Sequence, residues 1–310
     1  MQKNVLKVFT NINKNIPKNC VVSIGFFDGV HKGHVYLLNQ LINEAKLKNQ
    51  EDLVITLWPH PAKYFGKNLS LLNTLNEKVV LLEGLGIKNV LILDFNDELA
   101  SLSADMFVEK FLKEKLSCSS IIMGYNNHFG NKSSISKPES EFAIPVKRLQ
   151  KFEFEEFTNI NSSQIRECIT MGNLEKSNKM LGYNYKLSGN IISGYQIGRK
   201  LGFPTANLEV LDQDKIQPPN GVYITKAFFD KKSYPAMLSK GTRPSFDGKK
   251  LSLEFHIPNF EGDLYGKQVT IEFIKKIRDE IKYENIDDLI TQIKKDQEET
   301  LAYFSKNLGF

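Results

Sequence analysis

The chain has 310 residues, 41% of them hydrophobic, and carries 41 basic against 36 acidic side chains for a formal net charge of +5. That length suggests two domains with ordinary buried cores, and so mild and evenly spread a charge fits local phosphate binding, not a surface wrapped in nucleic acid. Cys20, Cys118 and Cys168 form no Cys-x-x-Cys, which argues against a disulfide scaffold or a cysteine zinc site and suits a reducing cytosol. The apolar runs are too short to span a bilayer, and the start at Met1 lacks a signal-peptide core, so a cytoplasmic protein without membrane partners is expected.

In chain order, residues 20–24 read as a strand. They run directly into Gly25-Phe26-Phe27-Asp28-Gly29-Val30-His31-Lys32-Gly33-His34. A helix over 35–48 follows, with apolar residues at 35, 37, 38, 41, 42 and 45 on one stripe. Free amides and the dipole at a helix start favour anions, and imidazole adds a donor that is neutral or charged near pH 7. Gly33 keeps the turn small enough for a phosphate to approach. The combination reads as a nucleotide-phosphate site; the same two histidines also read as a metal-binding pair or as loop histidines with ordinary partners. Strands over 53–57, 90–93 and 120–123 then alternate with a helix over 77–85, ended by Gly86, and a helix over 104–116, started by Ser103. Such alternation predicts a mostly parallel sheet whose ligands bind beyond the carboxyl ends of its strands.

Short helices over 162–170 and 174–181, closed by Gly182, lead into a different texture. Strands over 185–192, 222–229, 234–238, 250–257 and 268–274, broken by Gly, Pro and Asn, predict an antiparallel barrel. A terminal helix follows, with Ile286, Leu289, Ile290, Ile293, Leu301 and Phe304 on one face. The boundary falls near Tyr183, giving domains 1–182 and 183–310. The most informative stretch is Gly198-Arg199-Lys200-Leu201-Gly202-Phe203-Pro204-Thr205-Ala206-Asn207-Leu208. Its glycines admit an anion, its cations meet phosphate, and Thr205 and Asn207 set two neutral oxygens on the same side of an extended segment. Magnesium takes such oxygens, so the segment reads as a holder of a metal–nucleotide complex without a P-loop. It also reads as a surface turn entering a strand, with Pro204 as its bend.

These motifs resemble those of bacterial bifunctional riboflavin kinase/FMN adenylyltransferases. Gly198–Leu208 is similar to the kinase loop of that family. Pro219-Asn220-Gly221-Val222-Tyr223, Gly241-Thr242-Arg243-Pro244-Ser245-Phe246, Glu254-Phe255-His256-Ile257 and Asp263-Leu264-Tyr265-Gly266 follow in the family's order. In the first half, Phe27-Asp28-Gly29-Val30-His31-Lys32-Gly33-His34 resembles the His-x-Gly-His string of its adenylyltransferase branch. Leu57-Trp58-Pro59-His60-Pro61, Gly124-Tyr125-Asn126-Asn127-His128-Phe129-Gly130 and Asn161-Ser162-Ser163-Gln164-Ile165-Arg166 resemble its later motifs. The resemblance implies an α/β Rossmann-like nucleotidylyltransferase domain, then a β-barrel riboflavin kinase domain with a terminal helix. It implies magnesium, ATP as co-substrate, and riboflavin and FMN as small-molecule partners.

It further implies Glu254 as general base, and His31, His34 and Arg166 as the groups meeting phosphates in adenylyl transfer. Nucleotide contacts would come from Gly25, Phe26, Asp28, Gly33, Asn126, Ser162 and Ser163 in one half. In the other they would come from Gly198, Arg199, Gly202, Pro204, Thr205 and Asn207, with Thr205 and Asn207 also on the metal. Flavin contacts would come from His60, Pro61, Arg243, Arg278 and Tyr283. Departures cluster in the first half, where Phe26, Asn127, His128, Asn161 and Ser163 replace more usual family residues. They leave open an alternative in which the chain is a riboflavin kinase only, its first half of weakened activity or a flavin-binding regulator.

Overall fold

Short strands that send alternate side chains into two apolar layers build the first part of the chain. In the computed structural model, which describes residues 5–12, 15–125, 127–128, 130, 138–194, 197–245 and 248–308, they are β1 (Lys7–Phe9), β2 (Val21–Ile24), β3 (Asp52–Trp58), β4 (Asn89–Asp94), β5 (Ser120–Met123) and β6 (Val146–Arg148). All pair in parallel, in the order β1-β4-β3-β2-β5-β6. Val21, Val54, Val90 and Ile122 enter one layer with Leu37, Leu38 and Leu41 of α1 (Lys32–Leu47) and Leu82 of α3 (Leu75–Gly84). Val22, Ile55, Leu91 and Ile121 enter the other with Phe107, Val108 and Leu112. Between these elements lie α2 (Pro61–Tyr64), α4 (Asp97–Ser101) and α5 (Ala104–Met106). This is the Rossmann-like α/β arrangement expected. By compactness the unit runs Met1–Ser162, and the second Ser163–Phe310.

The helix expected over 104–116 takes a different form. Ser103 caps α5 as anticipated, its Oγ accepting from Met106 N, but Phe107–Lys115 continues as a π-helix. The core side chains explain the wider turn. Phe107, Val108, Leu112 and Leu116 are buried, a spacing of four to five residues that suits i→i+5 bonding.

Strand order fixes where a ligand can sit. The chain leaves β2 toward β3 on one side, whereas β5 lies on the other side of β2. The loops after β2 and β5 therefore diverge and open a crevice at the strands' carboxyl ends. Asn127 Nδ2 closes its floor by donating to Ile24 O at 2.6 Å.

The second unit starts with α6 (Ser162–Thr170), whose first residue belongs to the first unit, and α7 (Leu174–Leu181), ended by Gly182 at a positive φ of 85°. Six described strands then close into a barrel: β7 (Tyr185–Ile192), β8 (Ala206–Val210), β9 (Gly221–Phe229), β10 (Lys232–Ser245), β11 (Gly248–His256) and β12 (Gln268–Arg278), in the order β10-β11-β8-β7-β12-β9. Strands β8 and the ends of β10 and β12 exceed the expected ones, because barrel closure pairs backbones whose side chains show no alternation. A single turn, α8 (Ile197–Lys200), stands where the sequence suggested a plain glycine loop. The terminal helix, α9 (Ile286–Leu308), lays Phe304 on Ile224 and Ile274.

Trp58 is the chain's lone tryptophan and sits on β3, so its fluorescence follows the first unit. Leu41 is fully buried on α1. In urea titrations read by Trp58, Leu41→Ala is expected to lower stability by about 3 kcal/mol.

Candidate active sites

The first site grows from the junction of β2 with α1. His31 caps the helix, its Nδ1 accepting from His34 N at 3.3 Å. The two imidazoles stack with centroids 3.7 Å apart, and a Cβ on Gly33 would stand 3.2 Å from the His31 ring, so glycine keeps this stack. The loop is strained: Phe27 and Val30 sit at positive φ of 53° and 36°, a region unfavourable for bulky side chains. Asp28, buried, holds it down by accepting from Leu72 N at 3.0 Å and Asn73 N at 3.2 Å, while Ser162 Oγ donates to Asp28 O at 2.9 Å. Burial, then the nearby His31 and Lys78, hold the His34 imidazole well below its ordinary pKa. It is therefore neutral at pH 7. Its Nδ1 is buried without a hydrogen-bond partner.

Lys78 was not foreseen. It lies on α3, is 0% exposed, and donates to Thr56 Oγ1 at 3.2 Å. Its Nζ stands 3.7 Å from the Phe26 ring centroid and 5.5 Å from that of Trp58. Burial pushes its pKa down to about 7 against the opposing pull of Asp28. The signal was present: Lys78 precedes Leu82 by one turn on the buried stripe of α3. Phe26 also meets His60 edge-on at 4.0 Å. These rings border a cavity of about 740 Å³ whose walls include Gly25, Phe26, His60, Pro61, Asn127 and His128, a size suited to a cofactor-like ligand. Arg148, also unforeseen, pins the loop after β5 through the carbonyls of Gly124 and Asn127 at 2.6 and 3.0 Å.

The second site lies where β8 meets β11. Asn207 pairs with Glu254 across that ladder, and Thr205 Oγ1 donates to Glu254 Oε2 at 3.2 Å. His256 Nδ1 donates to Pro204 O at 2.7 Å, fixing the bend before β8. Crowding explains the glycines: a Cβ on Gly198 would lie 2.3 Å from Phe203 O and 3.0 Å from Thr205 Oγ1, and one on Gly194 would lie 2.0 Å from Asn207 Nδ2. Gly202 has a positive φ of 87°.

Alternation along β11 serves two cavities. Phe255, and Ile257 just past the strand's end, line one of about 410 Å³, with Arg199, Pro204 and Asp263. Glu254 and His256 line the other, about 220 Å³, with Phe203, Met237, Leu289 and Arg278. Thr205 borders both.

Arg278 is held by the buried Asp296 of α9, its Nη2 to Oδ2 at 2.8 Å. Its guanidinium stands 6.0 Å from the Tyr283 ring, whose hydroxyl is buried without a partner. Asp296 escaped the sequence reading because helical periodicity gave no hint of its partner. Ser163 and Arg166 lie on α6 in the second unit, where Arg166 O accepts from Thr170 Oγ1 at 2.9 Å. Asn126 lies outside the described residues, as does the side chain of Arg243, whose backbone pairs with Lys250. Among the described residues no group of three or more His, Cys, Asp or Glu is placed to hold a metal, and no helix is long and apolar enough to cross a membrane.

A family model described as FAD synthetase matches residues 13–169, and one described as riboflavin kinase matches 181–304. A bifunctional riboflavin kinase/FMN adenylyltransferase of Listeria monocytogenes is 32% identical over 308 residues, covering 96% of this chain and 95% of its own. Those of Buchnera aphidicola and Escherichia coli K12 are 34% and 31% identical, covering 94% and 95% of this chain and 96% of their own lengths. The crystal structure of a protein described as a macrolide-efflux protein from Streptococcus pneumoniae superposes with a TM-score of 0.86 at 30% identity, covering 94% of this chain and 98% of that one.

Lys78 and His34 both hold their protons less tightly when folded. Below about pH 7 the unfolded chain protonates His34 near its ordinary 6.5 while the folded chain resists, so stability is lost there as the pH is lowered. Between about 7 and 10.5 the unfolded chain keeps the Lys78 proton that the folded one has lost, so stability rises with pH. Unfolding read by Trp58 is expected to gain on the order of 1 kcal/mol per pH unit across that upper window, and Lys78→Met to remove the slope.

Proposed function

The chain belongs to the family of bifunctional riboflavin kinase/FMN adenylyltransferases: it phosphorylates riboflavin to FMN with ATP and adenylylates FMN to FAD with release of pyrophosphate, and we propose which side chains carry each step. The carrying observation for the kinase is the meeting of two cavities at Thr205, whose hydroxyl is bonded to Glu254. The one with Arg199 takes ATP; the narrower, more apolar slot against α9 takes the flavin ring. Glu254 removes the proton of the terminal ribityl hydroxyl as its oxygen attacks the γ-phosphorus and ADP leaves. Thr205, bonded to Glu254, orients that carboxylate. Thr205 and Asn207 with Glu254 offer a hydroxyl, an amide and a carboxylate oxygen, a donor set that fits a hard cation. Thr205 and Asn207 would hold magnesium, which when bound neutralises phosphate charge. Arg278 and Tyr283 shape the flavin slot, with Asp296 fixing Arg278.

In adenylyl transfer the FMN phosphate is itself the nucleophile, so alignment and charge stabilisation carry the step. His31 and the neutral His34 act as N–H donors to the phosphates at the start of α1. Gly25 and Gly33 keep the backbone close, and Asp28 serves by anchoring the loop. Phe26, His60 and Pro61 form the wall on which the flavin rests. Ser162 steadies the loop through Asp28 O, and Asn126, Ser163 and Arg166 keep the roles the resemblance implies. The balanced charge and the absence of a Cys-x-x-Cys support a cytoplasmic enzyme.

Chromatography of riboflavin, FMN and FAD separates the two assignments. Glu254→Gln is expected to lower FMN formation by about 10²–10⁴-fold while supplied FMN is still converted to FAD. His31→Ala/His34→Ala is expected to do the reverse. Near-normal turnover at the targeted step removes that assignment. Gly198→Ala, which pushes on Thr205, is expected to slow phosphorylation by about tenfold or more and leave FAD formation from FMN intact.

A further inference from the structure

We propose that Lys78 is a positioning residue of the adenylyl-transfer site: its ammonium, sealed behind Phe26 beneath the 25–34 loop, draws the ATP polyphosphate onto that loop, and ATP binding there takes up a proton. The inference rests on the assignment of that loop to ATP phosphates.

A lysine with no exposed surface is costly, because the ammonium is removed from water. An apolar residue would pack as well at this place on α3, one turn before the buried Leu82. Breaking a packing rule in this way marks a functional position. The surroundings of Lys78 favour its charge weakly. From the loop after β2, Phe26 offers its ring face at 3.7 Å and Asp28 an attraction already shared with the amides of Leu72 and Asn73. From β3, Thr56 accepts a hydrogen bond and Trp58 lies 5.5 Å away. From α1, His34 feels the Lys78 charge, and His31 stacks on His34. One shared carboxylate therefore faces a cluster of groups that each lose stability when charged. A polyphosphate arriving at His31 and His34 supplies the missing negative charge and raises the proton affinity of Lys78, which already sits at about 7.

Lys78 also sets geometry. Thr56 Oγ1, which accepts from Lys78, donates to Phe26 O at 3.1 Å. Both the ring and the carbonyl of Phe26, the residue between the flavin wall and the phosphate loop, are thus tied to this one amine.

The test measures kcat/KM for ATP in FAD formation from FMN between pH 6 and 9, for wild type, Lys78→Arg and Lys78→Met. Riboflavin phosphorylation by the same preparations serves as the folding control. The wild-type value is expected to fall as pH rises above about 7, since the free enzyme's essential proton appears in kcat/KM. Arginine stays charged throughout, so Lys78→Arg should keep activity and lose that decline. Lys78→Met should lower kcat/KM by about ten- to a hundredfold, mainly through KM, with a flat profile. The proposal is overturned by a wild-type profile flat from pH 7 to 9, by Lys78→Arg declining with the wild type, or by Lys78→Met within twofold of it. Loss of FAD formation in His31→Ala/His34→Ala with Lys78 variants that track the wild type would sink this inference alone and leave the loop's assignment standing.

Discussion

The register between β8 and β11 is the constraint on which the proposed kinase site hangs. It sets Asn207 opposite Glu254 and brings Thr205, two residues earlier, within hydrogen-bond reach of the same carboxylate. A slip of one residue would turn Glu254 to the face now held by Phe255 and carry its carboxylate into the neighbouring cavity. Two things prevent the slip. The barrel closes, so no strand can shift without moving its neighbours. Beside the ladder, glycines at 194 and 198 admit Asn207 and Thr205 with no space to spare. The oxygens proposed to meet ATP are therefore located by backbone pairing, and their side chains need only short reach.

The first unit solves the same problem by other means. The groups proposed to meet phosphate there sit on a loop, which no ladder holds. Asp28 anchors that loop from below, Thr56 and Lys78 tie Phe26, and His31 locks itself to the first turn of α1. The positive φ angles of Phe27 and Val30 are the cost of bending the chain so sharply between strand and helix. The anchors offset that cost, and they hold the imidazoles in place before any ligand arrives.

Much of this was legible from residue order because the decisive features are local. Alternating strands and helices, the helix start at His31-x-Gly-His34, and the Pro204–Asn207 turn are short-range patterns, and the sheet and barrel followed from them. What escaped was set by distant partners. Lys78 meets Thr56 across 22 positions, Arg148 meets Gly124 across 24, and Arg278 meets Asp296 across 18. Nothing in periodicity pairs such residues. The edge strands β1 and β6 escaped because three residues show no alternation, and Phe107–Lys115 because an α-helical stripe and a slightly wider one look alike over two turns. The departures from family pattern acquire physical meaning in the fold. Phe26 is the partner of Lys78 and His60, and Asn127 fastens its loop to β2.

The sheet's two margins have a bearing on how this protein behaves when crowded. An open margin presents unpaired amides and carbonyls, a template on which another chain can add a strand. Here each margin is only three residues long, Lys7–Phe9 on one side and Val146–Arg148 on the other, and each carries cations, Lys7 on the first and Lys147 with Arg148 on the second. The barrel, being closed, has no margin to offer. Long apolar strands lie inside, where only their neighbours reach them, and what faces a passing chain is short. The architecture that holds the two candidate loops also resists intermolecular strand addition, a safeguard against aggregation built into the length of its outermost strands.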